Sequence, residues 1–126
     1  MDIRFTGREL DIMRVLWARG PSTVADIRDA LEDDLAHTTV HTMLKVMEGK
    51  GYVSRRPGDG RAHEYAAEVE RSVAGESALT RITDRLFGGS PEELFMHLVD
   101  SGLTEDELRR MRDLLDERLR DVEEGS

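Results

Sequence analysis

Apolar residues recur along this chain at the three-and-four spacing of amphipathic helices, punctuated by glycine and proline. In the first such stretch Leu10, Met13, Leu16 and Trp17 form one stripe expected to be buried. Thr6-Gly7-Arg8-Glu9 precedes it as a capping box, with Thr6 accepting from a first-turn amide and Glu9 reaching back, and Gly20-Pro21 stops it. A second helix is predicted from Ser22 or Thr23, with Asp26 in its first turn and Val24, Ile27 and Leu31 facing inward. A third, from about His37 to Glu48, carries Val40, Met43, Leu44 and Met47 on one face and Thr38, His41, Thr42 and Lys45 on the other. Gly49-Lys50-Gly51 ends it. Tyr52-Val53-Ser54-Arg55-Arg56 and Ala62-His63-Glu64-Tyr65-Ala66 then read as two strands around a glycine-rich tip, Pro57-Gly58-Asp59-Gly60. Three helices and a β-hairpin in this order suit a winged helix-turn-helix, whose third helix enters the major groove of DNA.

The remaining pattern is helical. From Glu68 the apolar residues Val69, Val73, Leu79, Ile82 and Leu86 keep helical spacing until Gly88-Gly89. Ser90-Pro91-Glu92-Glu93 restarts a helix, with a capping serine, a proline suited to the first helical position and acids at the positive end of the dipole. That short helix bears Leu94, Phe95, Leu98 and Val99, and Gly102 ends it. Thr104-Glu105-Asp106-Glu107 is another capping box, opening a final helix with Leu108, Met111, Leu115, Leu119 and Val122. Three such helices are too few to enclose a thick core, so their stripes call for a partner, most simply a second copy of the chain. The expected fold is mainly α with a small β-hairpin: a winged-helix DNA-binding domain over 1–67 and a three-helix dimerisation region over 68–126.

Composition sharpens this picture. The 126 residues include 18 basic and 27 acidic side chains, a formal charge of −9, which taken whole argues against a nucleic-acid partner. The charge is unevenly placed, however. Residues 1–36 carry −3 and residues 66–126 carry −8, whereas 37–65 carry +2 and three of the four histidines. The acidity therefore belongs mostly to the C-terminal helices. With no cysteine there is no disulfide, thiol nucleophile or thiolate metal site. No run of about 18 apolar residues exists and the first residues lack an apolar signal core, so the expectation is a cytoplasmic protein without a membrane partner.

The candidate chemistry is recognition. Thr38, Thr39, His41, Thr42 and Lys45 supply short donors, acceptors and a cation on the third helix, the side chains that read base edges and phosphates. Arg55, Arg56, Arg61 and His63 flank the hairpin tip, within reach of phosphates or an adjacent minor groove. His37 and His41 are spaced to share a metal ion, but the glutamate of a zinc-protease motif is missing and no third ligand is evident. The Asp and Glu of the C-terminal helices alternate with Arg, as in Glu105 with Arg109 and Asp106 with Arg110, which reads as surface pairing rather than an acid/base pair. No phosphate-binding glycine loop or nucleophile elbow is present, and neither enzymatic activity nor a cofactor is expected. The alternatives to a DNA-binding regulator are a winged-helix module that binds a protein through its acidic surface and a histidine-based metal-responsive regulator.

The run Glu9-Leu10-Asp11-Ile12-Met13-Arg14-Val15-Leu16-Trp17 with Gly20-Pro21 and Thr23-Val24, then Thr38-Thr39-Val40-His41-Thr42-Met43-Leu44, Lys50-Gly51-Tyr52-Val53, Gly60-Arg61 and Tyr65, resembles the penicillinase-repressor family of bacterial regulators, the BlaI/MecI/CopY type. The resemblance covers nearly the whole chain. It implies a homodimeric winged-helix repressor on an inverted-repeat operator, with Thr38, Thr39, His41, Thr42 and Lys45 on the recognition helix, Arg61 in the wing and the C-terminal helices joining two subunits. Val73, Leu79, Ile82, Leu86, Leu94, Phe95, Leu98, Leu108, Met111, Leu115 and Leu119 would then form the dimer contact. Three features depart from the family pattern. The copper-responsive branch has a C-terminal cysteine cluster, and this chain has no cysteine. The β-lactam-responsive branch is cut by a sensor protease at an Asn-Phe bond, where this chain has His97-Leu98. Val46 and Gly49 stand where basic residues are common, so fewer phosphate contacts and a shallower salt dependence are expected.

Overall fold

The computed structural model describes residues 3–60 and 62–125, which divide into two compact units, 1–79 and 80–126. The first unit opens with α1 (Gly7–Arg19), a two-residue strand β1 (Ser22–Thr23), α2 (Val24–Ala30) and α3 (His37–Gly49). Strands β2 (Val53–Pro57) and β3 (His63–Ala67) follow, and α4 (Arg71–Leu86) begins in this unit and ends in the next.

Local chemistry sets these boundaries. Thr6 accepts from the Glu9 amide while Glu9 accepts from the Thr6 amide, closing the expected capping box of α1. Thr23 caps α2 by accepting from the Asp26 amide. The end of α3 is a Schellman motif: Gly51, at φ +83°, donates to Glu48 and Tyr52 donates to Met47. Met47 and Tyr52 are both buried beside this turn, which starts the wing at a fixed point in the core.

Apolar side chains from α1, α2, α3, β2 and β3 meet in one core. Ile12, Met13, Ile27, Val40, Leu44 and Met47 are sealed from solvent, with Leu16, Val24, Tyr52, Val53, Tyr65 and Val69 around them. The stripe of α1 is rotated from the expected one. Ile12 replaces Leu10, which is 40% exposed, because the inward face is set by Glu9, Ile12, Met13 and Leu16 at helical spacing. Trp17 is half-buried at the edge and donates its indole N–H to the Val69 carbonyl at 2.8 Å. That contact explains a second difference: α4 begins at Arg71 rather than Glu68, since Val69 is drawn into the core ahead of the helix.

The sheet has one strand more than the expected hairpin. Ser22 and Thr23 pair antiparallel with Tyr65 and Glu64, giving the order β1-β3-β2. A two-residue strand carries no alternating pattern, and the same residues supply the cap of α2, so the helix signal concealed it. Both hairpin strands lie one residue later than expected. At the tip, a Cβ on Gly58 would stand 2.7 Å from the Ala62 carbonyl oxygen, so only glycine lets the two sides approach there.

In the second unit α5 (Pro91–Val99) is capped by Ser90 with Pro91 in its first turn, and α6 (Glu105–Gly125) by the reciprocal Thr104–Glu107 box. Glu105 and Arg109 form the expected i,i+4 ion pair. The His97 ring packs against Phe87 at 4.8 Å and its Nδ1 bonds the Glu93 carbonyl. No residue of α4, α5 or α6 is buried among those described.

Candidate nucleic-acid interface

Helix α3 is built to hide one face and offer the other. Val40, Leu44 and Met47 anchor it in the core, which turns Thr38, Thr42 and Lys45 directly outward. Thr39 and Val46 flank this row on one side, and His37 and the half-buried His41 on the other. The Thr42 hydroxyl donates to the Thr38 carbonyl at 2.9 Å, so Thr42 presents its methyl group and an acceptor outward rather than a free donor. Thr6, Thr23, Ser90 and Thr104 cap their helices through side chains, whereas Ala36 at the start of α3 makes no such bond. The first amides of α3 thus face outward without a side-chain cap, and no acid stands in its first turn.

Val46 stood out in the sequence only as a missing basic residue. It is 51% exposed on the outward side of α3, an apolar group of the kind that contacts a thymine methyl. Its signal was its phase, since it falls off the inward stripe yet is apolar.

Lys50 has a structural place instead of an outward one. Its ammonium lies 2.8 Å from the Glu9 carboxylate and 5.8 Å from the centre of the Tyr52 ring, tying the end of α3 to α1. Burial pushes the Glu9 carboxyl up, but the Lys50 ammonium and the amide and hydroxyl of Thr6 together leave it below its ordinary value. The Lys50 ammonium is raised by the same bond to Glu9. One of the cations counted in the basic segment is thereby committed within the fold.

The wing register assigns its side chains to two faces. Arg55 stands opposite Tyr65 and Pro57 opposite His63, on the face shared with buried Val53. Arg56 stands opposite Glu64 on the other face, beside an acid that weakens its field. Arg55, Arg56 and His63 are all exposed, while Arg61 lies outside the described residues. Arg55 and His63 line a cleft of about 280 Å³ together with His37 and His41 of α3 and Tyr65 at its inner side. The structure thus brings the third-helix histidines and two wing residues to one place. Among the described residues, no group of three or more ligating side chains is placed to hold a metal ion.

Solved structures with the same fold are transcription regulators. The transcriptional regulator Tm0710 from Thermotoga maritima is 24% identical, with 95% of this chain matched to 78% of that one at a TM-score of 0.52. A MarR family protein from Bacillus stearothermophilus is 17% identical over 95% of this chain and 76% of its own, with a TM-score of 0.55. MepR, a regulator of the Staphylococcus aureus multidrug efflux pump MepA, is 24% identical over 94% and 80%, with a TM-score of 0.52. At these identities the likeness establishes the winged-helix fold. No curated protein matches significantly. The sequence profile of the penicillinase repressor family matches residues 5–117, essentially from α1 into α6. The chain therefore belongs to the penicillinase repressor family, and it is a winged-helix transcriptional repressor rather than an enzyme.

Proposed function

We propose that the protein represses transcription in the cytoplasm as a homodimer on an inverted-repeat DNA operator, with control of the β-lactam-resistance type. The observation that carries this reading is the two-sided α3: three sealed apolar residues on one face, and Thr38, Thr39, Thr42, Lys45 and Val46 exposed across the other. His41, Arg55, Arg56, His63 and Arg61 would extend the contact to phosphates on either side. Residues 1–67 serve as the DNA-binding domain and 68–126 as the dimerisation domain, with the start of α4 buttressing the former through Ala74. Apolar side chains that remain exposed in a single chain support the dimer. Of the 14 large ones among the described residues, 12 lie between Val73 and Val122, among them Leu79, Ile82, Leu86, Phe95, Leu98, Leu108, Leu115 and Leu119. Leu94 and Met111 are half-buried within the same stripes.

The acidic C-terminal half would repel DNA and keep that end away from the duplex, so non-specific affinity should be modest. Release by a sensor protease at His97-Leu98 would require α5 to open, because that bond sits inside the helix and His97 is held by Phe87 and Glu93. Footprinting on the DNA upstream of its own gene tests the reading. A protected inverted repeat with half-sites about one helical turn apart is expected. Lys45→Ala should weaken binding and lower the salt slope by about one phosphate contact. Negligible binding even at low salt would favour the protein-interaction module instead.

A further inference from the structure

Tyr65 holds a group that DNA recognition does not account for. Its side chain is 1% exposed and its hydroxyl is buried without a hydrogen-bond partner. Such orphans are few in native proteins, because a buried hydroxyl stripped of water is costly to leave unpaired. Tyr65 lines the cleft between α2, α3 and the wing, and the groups around it are mostly donors. Arg55 contributes a fixed positive charge, and His37, His41 and His63 contribute ring N–H groups. Among the described residues, no carboxylate lines the cleft. Glu48 stands near enough to reinforce the rise that burial imposes on the Tyr65 phenol, and the Arg55 guanidinium opposes it. Val24 and Ala25 supply apolar wall on the side of α2.

Donors around an apolar-walled space of about 280 Å³ suit one compact molecule with an acidic group, at the small end of ligand sites. A phosphodiester of duplex DNA does not satisfy Tyr65, since it stays at the surface while the hydroxyl lies beneath it. A small molecule would reach the buried hydroxyl only if the exposed Arg55 or His63 side chain turned aside.

We propose that this cleft binds a small organic acid, its carboxylate held by Arg55 and the Tyr65 hydroxyl and its body against Val24 and Ala25, and that the bound acid excludes DNA. Exclusion follows from shared residues: the same His41, Arg55 and His63 are assigned to the operator contact, so this half rests on the DNA-binding reading. The cleft would then be the place where a metabolite signal ends repression without proteolysis.

Benzoate serves as the probe, titrated into the isotope-labelled full chain and followed by the amide resonances of Ala25, His63 and Tyr65, with inorganic phosphate as a second probe. Saturable benzoate shifts confined to the cleft are expected. Tyr65→Phe should weaken them about fivefold and Arg55→Gln about tenfold, the size of a lost neutral and a lost charge-assisted hydrogen bond. Phosphate shifts should be insensitive to Tyr65→Phe. Because Tyr65→Phe removes only an unpaired hydroxyl, its thermal transition should match or exceed that of the native chain. Benzoate shifts that fail to saturate, or that persist unchanged in both variants, would overturn the proposal, as would an ordered water on Tyr65 in a benzoate-soaked crystal with no benzoate beside it. In the second arm, benzoate should weaken operator binding by the native chain, and about fivefold more of it should be needed for the same effect on Tyr65→Phe. A saturated cleft with unchanged DNA affinity would overturn the exclusion. If the native chain binds no DNA at all, the proposed function fails, while the titration still decides the cleft.

Discussion

Residues 3–69 contain every buried apolar side chain among those described, and helices α4–α6 contain none, although both stretches carry apolar residues at helical spacing. The difference lies in what each stripe has to face. Val40, Leu44 and Met47 of α3 meet Ile12 and Met13 of α1, Ile27 of α2 and the inner side of the wing, so each helix hides the others. Leu108, Leu115 and Leu119 of α6 belong to a comparably regular stripe and stay open to solvent. Periodicity thus tells which face of a helix seeks burial, while the number of elements available decides whether one chain can provide it.

The largest expected effect comes from cutting into the closed region. Leu44→Ala removes a side chain with no exposure from the centre of the winged-helix core and should cost about 2–5 kcal/mol, read from the urea unfolding midpoint. The same truncation at Leu115, about half exposed, should leave that midpoint far less changed at high protein concentration.

Next comes the open region. Leu115→Asp with Leu119→Asp places charge on the stripe that a second copy would cover. Loss of linked half-site binding should then weaken operator affinity by about a hundredfold or more, measured by fluorescence anisotropy. An unchanged affinity would show that the C-terminal stripes have another use.

Acid separates the two regions more gently. Glu9 is held below its ordinary pKa of 4.5 in the folded state, so its contribution is fully present above pH 4.5 and is lost as pH falls through the lowered folded value. Glu107, held down by the Thr104 amide and hydroxyl, behaves in the same direction. Glu9→Gln should flatten the acid limb of the winged-helix melting curve, whereas Glu107→Gln should alter only the helicity of α6 followed by circular dichroism. The smallest effect is expected for Thr104→Ala, which removes one exposed cap and should cost α6 about 0.5–2 kcal/mol.

Much of the fold was legible because helix starts and stops are local events. The Thr6–Glu9 and Thr104–Glu107 boxes, the Ser90 cap and the Gly51 turn all form where the residues announce them. What escaped depends on distant partners. Leu10 and Ile12 are both apolar, and only the direction of the core decides between them. Val69 leaves the α4 pattern because the Trp17 indole, 52 residues earlier, takes its carbonyl. Lys50 counts toward the positive charge of the central segment until Glu9 is seen beside it. For the interface, the polar face of α3 was visible by subtraction from its stripe. The meeting of His41, Arg55, His63 and Tyr65 was not, because a strand register sets it rather than any spacing along the chain.

The contrast between a closed and an open region is tested most directly by sedimentation equilibrium of the full chain without DNA. A mass of two chains is expected over a wide concentration range, falling to that of one chain when Leu115 and Leu119 are both aspartate. A native chain that sediments as a single copy at every concentration would contradict it, since the apolar faces of α4–α6 would then stand uncovered in water.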